Sequence, residues 1–287
     1  PDDAVVDVFV DDDLQVTLRT EKGEYSLHGY DAEDYLEPPE VDHTPTGITG
    51  SDWTVPDALD KTAFAVSDDS LRPAMDGVYF DAGAGAVVAT DGHRLCKLYP
   101  AMQTIPASFI LPSAAAGLVQ STMEEPTVAV SEDEGAILVE DGPVHITARA
   151  IDETYPSYQS VIPENNDKHM TVHRADLLAA VERVGIYSSS MTSQIRLQIT
   201  SDRVRLDAED VERSSEAEEV VPCEFDSDNM EIGFNSDYLA EVLGNVSCDE
   251  VVFRLDSPNR AAIVEPLGDD TDDITMLVMP VMLNSYA

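Results

Sequence analysis

Residues 126–163 read PTVAVSEDEGAILVEDGPVHITARAIDETYPSYQSVIP, and residues 4–41 read AVVDVFVDDDLQVTLRTEKGEYSLHGYDAEDYLEPPEV. Both stretches alternate apolar and polar residues through three short runs, the pattern of half-buried antiparallel strands. In residues 4–41 the strands are expected at Val5–Val10, Leu14–Arg19 and Glu24–Tyr30. Each stretch then turns a D-x-x-Y-type corner and continues extended to a closing Val or Val-Ile-Pro. A weaker third copy spans Cys248–Leu283, with strands expected at Glu250–Leu255, Arg260–Glu265 and Thr275–Met279. A sequence that repeats its strand pattern is built from repeated structural units.

The front halves of two copies also correspond. Each opens on an amphipathic helix, Val55–Val66 or Arg174–Ile186; in the latter Leu177, Leu178, Val181 and Val184 share one face. Strands follow at Gly77–Ala82 and Ala86–Ala89, or at Ile195–Thr200 and Arg203–Ala208. A second helix, Pro112–Ser121 or Ser236–Val246, begins at the candidate caps Ser113, or Asn235 with Ser236. The unit is helix, strands, helix, strands over about 115 residues. This predicts an α+β fold of tandem domains, each with two helices packed on antiparallel sheets. The expected divisions are 1–45, the back half of a unit whose front half precedes Pro1, then 46–164 and 165–287, with linkers at Glu37–Ser51 and Pro163–His169.

Composition narrows the function. The 57 acidic residues outnumber 16 basic ones, for a net charge of −41. That excludes the ordinary nucleic-acid binder with its basic face, and it makes an anionic membrane surface an unsuitable partner. No run approaches the ~18 apolar residues of a membrane span. The 34 Asp and 23 Glu are spread over the whole chain, and Lys22, Lys61, Lys97 and Lys168 are the only lysines. Self-repulsion on this scale strains a compact state at ordinary ionic strength. It fades in molar salt, where the Debye length is ~3 Å, so the charge predicts a high-salt solvent. Cys96, Cys223 and Cys248 are odd in number and far apart, giving neither a disulfide framework nor a zinc spacing. A reducing cytoplasm fits them.

Motifs in register with the repeat are more specific. Ala89-Thr90-Asp91-Gly92-His93-Arg94-Leu95 is followed by Ile151-Asp152…Tyr155-Pro156-Ser157-Tyr158…Val161-Ile162-Pro163. Then come Glu231-Ile232-Gly233-Phe234-Asn235…Tyr238-Leu239 and Met279-Pro280…Leu283. By itself Asp91-Gly92 reads as a turn between strands, with His93 and Arg94 decorating it. An Asp, a His and an Arg together also invite a catalytic reading. Yet no nucleophile motif of the G-x-S-x-G kind and no H-E-x-x-H accompanies them. The acidic runs Asp269-Asp270-Thr271-Asp272-Asp273 and Asp226…Asp228…Glu231 lack the glycine and closing glutamate of a calcium loop, and read as solvated surface. No cofactor or metal is expected.

Taken in order, the four motifs resemble the bacterial sliding clamp, the beta subunit of the replicative DNA polymerase, along essentially the whole chain. The resemblance implies a non-enzymatic ring of two subunits that encloses duplex DNA. Such a ring holds replicative polymerase and clamp loader through short peptides docked in an apolar groove. Enclosure also reconciles a negative chain with a DNA partner, since it needs no counterion release. The matching groove positions are Met75, Thr90, Gly92, His93, Arg94 and Leu95, then Pro156 and Val161, then Asn235 and Tyr238, and last Leu277, Met279, Pro280, Val281 and Met282. One departure is local: the family commonly ends MPMRL, whereas Met282 replaces the arginine here and Asn284–Ala287 extend the tail.

For DNA, the resemblance puts helices on the inner wall, and the four expected here are less acidic than the chain average but not basic. Lys61, Arg72, Arg174 and Arg183 are the candidates to face phosphates; the plainer reading of each is a surface ion pair. Tyr25, on an edge strand at Gly23–His28, and Ile186 with Tyr187 mark the expected homodimer seam. The alternative is a partial clamp that encloses nothing and serves only as a peptide-binding module.

Overall fold

The computed structural model describes residues 5–35, 41, 53–99, 105, 107–131, 135–268 and 274–283. Of the expected linker Glu37–Ser51 only Val41 is described; the acidic run Asp269–Asp273 and the tail Asn284–Ala287 lie outside the described residues. The chain divides into two compact units, Pro1–Glu40 and Val41–Ala287.

The first unit is an antiparallel meander of β1 (Asp7–Val10), β2 (Gln15–Thr20) and β3 (Gly23–His28). Its strands fall within two residues of the expected ones. The Asp11 carboxylate accepts from the Asp13 and Gln15 amides and folds the first turn. Val8, Leu18 and Tyr25 form one cross-strand row, and Val10, Val16 and Leu27 the next.

The second unit contains, among the described residues, four helices and fifteen strands. Its first repeat runs α1 (Val55–Thr62), β4 (Gly77–Asp81), β5 (Ala86–Thr90), β6 (Arg94–Leu98), β7 (Phe109–Pro112), α2 (Ser113–Thr122), β8 (Thr127–Ser131), β9 (Ala136–Asp141) and β10 (Val144–Arg149). The second runs β11 (Lys168–His173), α3 (Arg174–Gly185), β12 (Gln194–Thr200), β13 (Arg203–Asp210), β14 (Ser215–Phe225), β15 (Met230–Asn235), α4 (Ser236–Gly244), β16 (Glu250–Leu255), β17 (Ala262–Pro266) and β18 (Ile274–Val278). Helix α1 packs on α2 and α3 on α4. This is the expected α+β arrangement of paired helices on antiparallel sheets.

Local chemistry starts the helices. Thr54 and Asp57 form a reciprocal capping box on α1, and Asn235 Oδ1 accepts from the Asp237 and Tyr238 amides at α4. Ser113 is not a cap: Pro112 holds that position, and the Ser113 hydroxyl donates to Asp76 at 2.7 Å. The expected linker Pro163–His169 is also shorter than its composition indicated, because Lys168 and His169 already pair with Leu255 and Arg254. Nor is Asp226…Glu231 simply loop. Asp226 accepts from the His169 amide at 2.7 Å and meets its ring at 2.9 Å, while Glu231 lies in β15.

A three-stranded sheet, β10-β9-β8, accompanies a twelve-stranded one in the order β15-β12-β13-β14-β11-β16-β17-β18-β6-β5-β4-β7. The join matters most. Strand β18 of the second repeat pairs antiparallel with β6 of the first, Leu277 opposite Leu95 and Val278 opposite Arg94. Around it the sheet is apolar on both faces. Phe80, Val87, Ala89 and Cys96 enter the main core under the helices. Val88, Leu95, Ile110 and Leu277 point the other way, into a second core closed by Tyr155 and Tyr158. That explains why every residue of β5 is buried.

Candidate functional site

The β5–β6 turn is held by its own side chains. Asp91 Oδ1 accepts from the His93 and Arg94 amides at 2.7 and 2.8 Å, and the Thr90 hydroxyl donates to the Arg94 carbonyl. Gly92 has φ +88°, a conformation that a side chain makes costly. Arg72 donates to the Asp91 carbonyl at 3.1 Å and lies 3.5 Å from Asp69. It therefore braces this turn.

Arg94 is buried between the rings of Phe64 and Tyr238, 5.7 and 4.9 Å from their centroids. Its ion partners are Asp91, at 3.4 Å, and Glu241 on α4. Burial lowers its pKa from the ordinary arginine value, opposed by the Asp91 charge. His93 stacks on Tyr238 at 5.5 Å and 14°, and its carbonyl accepts from Met279. The chain end then crosses β15, where Val281 donates to the Gly233 carbonyl. A Cβ at Gly233 would come within 2.7 Å of Leu283, so glycine is needed there for close approach.

The opposite wall is the loop after β10. Tyr155 stacks on Tyr79 at 4.6 Å, and the Tyr158 hydroxyl donates to Asp81 at 2.8 Å. Burial raises the pKa of both phenols. The short 3₁₀ turn Tyr158–Ser160 then presents Val161, half exposed.

Between turn, loop and β18 lies a groove of about 610 Å³. Of the expected positions, Met75, Thr90, Gly92, Arg94 and Leu95 line it, as do Pro156, Val161, Leu277 and Met279. His93, Asn235 and Tyr238 form the adjoining stack and cap, outside its wall. Pro280, Val281 and Met282 also lie outside the lining, with Met282 exposed. Ser157–Ser160, Ile162–Asn165 and Asn259–Ala261 line the groove as well, beyond the positions that the resemblance implies. The loop residues adjoin Pro156 and Val161 in sequence, but Asn259–Ala261 arrive only through the β16–β17 turn.

Residues 52–157 match the DNA polymerase III beta subunit, central domain, and residues 159–282 match its C-terminal domain. The chain belongs to the DNA polymerase III beta subunit family. A beta sliding clamp from Synechococcus elongatus is 31% identical over 99% of this chain and 78% of its own length. One from Pseudomonas aeruginosa is 29% identical with the same coverage. Among solved structures, the DNA polymerase III subunit beta of P. aeruginosa superposes with a TM-score of 0.84 at 28% identity, over 98% of this chain and 78% of that one. A Bartonella birtlesii sliding clamp bound to griselimycin gives 0.84 at 27% identity, over 99% and 78%.

The four cations expected to face DNA already have intramolecular partners. Lys61 donates to Ser247 at 2.7 Å and sits over the Trp53 ring. Arg174 turns inward, donating to the carbonyls of Cys248 and Leu243 at 2.9 and 3.1 Å, which ties α3 to the end of α4. Arg183 is forked onto Glu219, which raises the arginine pKa and lowers the glutamate pKa. Arg72 braces the turn described above. Of the expected seam residues, Ile186 and Tyr187 are exposed at the end of α3, and Tyr25 is exposed on β3. Among the described residues no helix is long and apolar enough to cross a membrane, and no three His, Cys, Asp or Glu side chains form a metal cluster.

Proposed function

We propose that this chain is a processivity clamp. It is a non-enzymatic, cytoplasmic subunit that encloses duplex DNA as part of a homodimeric ring and tethers replicative polymerase and clamp loader by short peptides. The observation that carries the reading is the groove. Its floor is a doubly covered sheet joint, and its walls pair apolar residues with a few orienting polar groups. An unbranched, polarizable Met75 and Met279 suit a pocket that accepts several related peptides. His93, Asn235 and Tyr238 fix the wall that Met279 leans on, and Pro280, Val281 and Met282 continue its rim. The repeat boundaries of this reading are 1–45, 46–164 and 165–287.

Ring closure would use Tyr25 on one subunit and the Ile186–Tyr187 corner of another. Exposed Arg183 and half-buried Lys61 are the residues able to exchange an internal partner for a phosphate, whereas Arg174 and Arg72 have structural work. Enclosure then retains the DNA and contacts are weak, as a high-salt solvent requires.

The test has two arms. A labelled peptide with two adjacent apolar anchors should bind the chain, and Met279→Asp should weaken it at least about tenfold while circular dichroism is unchanged. Light scattering should give twice 31.2 kDa, and the protein should stay on nicked circular DNA but run off after linearisation. Peptide binding by a monomer that never stays on circular DNA would leave the peptide-binding module alone standing.

A further inference from the structure

We infer that a second cavity, between the two sheets of the first repeat, binds a free amino acid with a large apolar side chain. The cavity measures about 550 Å³ and shares no lining residue with the groove. It lies where the chain leaving β10 ties those sheets together. Ala150 donates to the Gly135 carbonyl beside β9 at 2.8 Å, and Ile151 donates to the Ile110 carbonyl of β7 at 3.2 Å. Successive backbone bonds to both sheets fix this part of the cavity wall.

Three charged residues line it: Arg149, Asp152 and Glu153. Their side chains have no hydrogen-bond or ion partner among the described residues. By contrast, Arg19, Arg72, Arg183, Arg205 and Arg254 each meet a carboxylate. An arginine and two acids that share a cavity without pairing offer both signs of charge to a ligand. The fourth polar group is Ser131. It lines the cavity at 7% exposure, and its hydroxyl has no partner among the described residues. A buried hydroxyl left unpaired is costly, and a ligand acceptor relieves that cost. Apolar wall comes from Phe109, Ile110 and the Tyr79–Tyr155 pair, stacked at 4.6 Å and 11°. These groups select the ligand. The guanidinium and the Ser131 hydroxyl donate to a carboxylate, Asp152 or Glu153 accepts from an ammonium, and the rings bury an apolar side chain. An α-amino acid carries all three on one carbon. Its zero net charge also matters, because a chain at −41 repels a simple anion and Arg149 repels a simple cation. The volume lies within the range of small-ligand pockets.

The experiment titrates the full chain with L-phenylalanine by ligand-observed NMR, at the lowest salt that preserves the circular dichroism spectrum. The comparison compound is N-acetyl-L-phenylalaninamide, which keeps the ring and the zero net charge but has neither ionised group. L-Phenylalanine should bind at least about fivefold tighter than this neutral analogue. Arg149→Gln, an exposed change, should cut that preference at least about threefold. Ser131→Ala should weaken L-phenylalanine about threefold while the circular dichroism spectrum is unchanged. A groove peptide added in excess should not displace L-phenylalanine. No binding up to the solubility limit, equal affinity for the two compounds, or a smaller cut in Arg149→Gln overturns the inference. Displacement by the groove peptide overturns it too, by moving the ligand to the groove; the clamp reading stands or falls separately.

Discussion

Two four-stranded quartets in the second unit share one topology and differ in what covers them. In β7-β4-β5-β6 the strands read as nearly continuous apolar runs, such as Ala86-Val87-Val88-Ala89-Thr90, and both faces are buried. In β15-β12-β13-β14 the strands β12, β13 and β14 alternate, and β12 buries Ile195, Leu197 and Ile199 while its other face is half exposed. That outer face is paved with ion pairs, among them Arg205 with Glu218 at 2.7 Å and Arg196 with Asp207. The difference shows where a repeat fold gains a binding site. Identical scaffolding becomes a groove only where the outward residues turn apolar, and a neighbouring strand and loop roof them over.

The sharpest way to break this comparison is a matched truncation on the two outer faces. Ile110→Ala, in the second core, should cost about 2–5 kcal/mol in denaturant unfolding. Arg205→Ala, on the other quartet, should cost less than about 1 kcal/mol because its pair is exposed. Equal effects would mean that the second core adds nothing a solvated face lacks. The exception on the polar quartet is the crossing of the chain end over Gly233. There Gly233→Ala should cost about 1–3 kcal/mol through overpacking against Leu283 and Val281, and it should weaken peptide binding by displacing Met279. Tyr158→Phe probes the groove loop more gently. Losing its bond to Asp81 should cost about 0.5–1.5 kcal/mol, read in the same unfolding assay.

These contrasts also mark how much was legible in the sequence. Repeat order, helix positions, the Asn235 cap and the Gly92 turn were readable, because each depends on periodicity or on chemistry within a few residues. Strand β14 was not, since Ser215–Phe225 is rich in glutamate, contains Pro222, and is held by eight residue pairs with β13. Strands β6, β7, β11 and β15 are short runs or closely followed by helices, so periodicity does not mark them. The β18–β6 joint brings together residues about 180 positions apart, which no local pattern encodes. For that reason Leu277 and Met279 were placed at the groove through resemblance, and Asn259–Ala261 were missed. A helix N-terminal arginine looks solvent-facing in sequence, whereas Arg174 satisfies carbonyls at the end of a neighbouring helix, a partnership no local pattern encodes.

The smallest effects separate two acids on one hairpin. Glu219 in β14 has its pKa lowered, first by its hydrogen bonds from Arg183. Its contribution is therefore present above the unfolded glutamate value and is lost as pH falls through the folded one. Asp207 in β13 is shifted the other way. Burial raises its pKa, only partly offset by Arg196 and Arg205, and its Oδ1 has no hydrogen-bond partner among the described residues. A raised carboxylate favours the fold below the unfolded value and loses that advantage as pH rises through the folded value. Unfolding midpoints between about pH 3 and pH 7, at constant salt, should consequently diverge in opposite senses. Glu219→Gln should be destabilising at pH 7 and indistinguishable from the parent at the acid end. Asp207→Asn should gain relative to the parent as pH rises, by less than about 1 kcal/mol after solvent screening. If Asp207→Asn loses stability at neutral pH instead, Arg196 and Arg205 outweigh the burial of the carboxylate. The outer face of this quartet would then be held by its ion pairs as firmly as the other quartet is held by its second core.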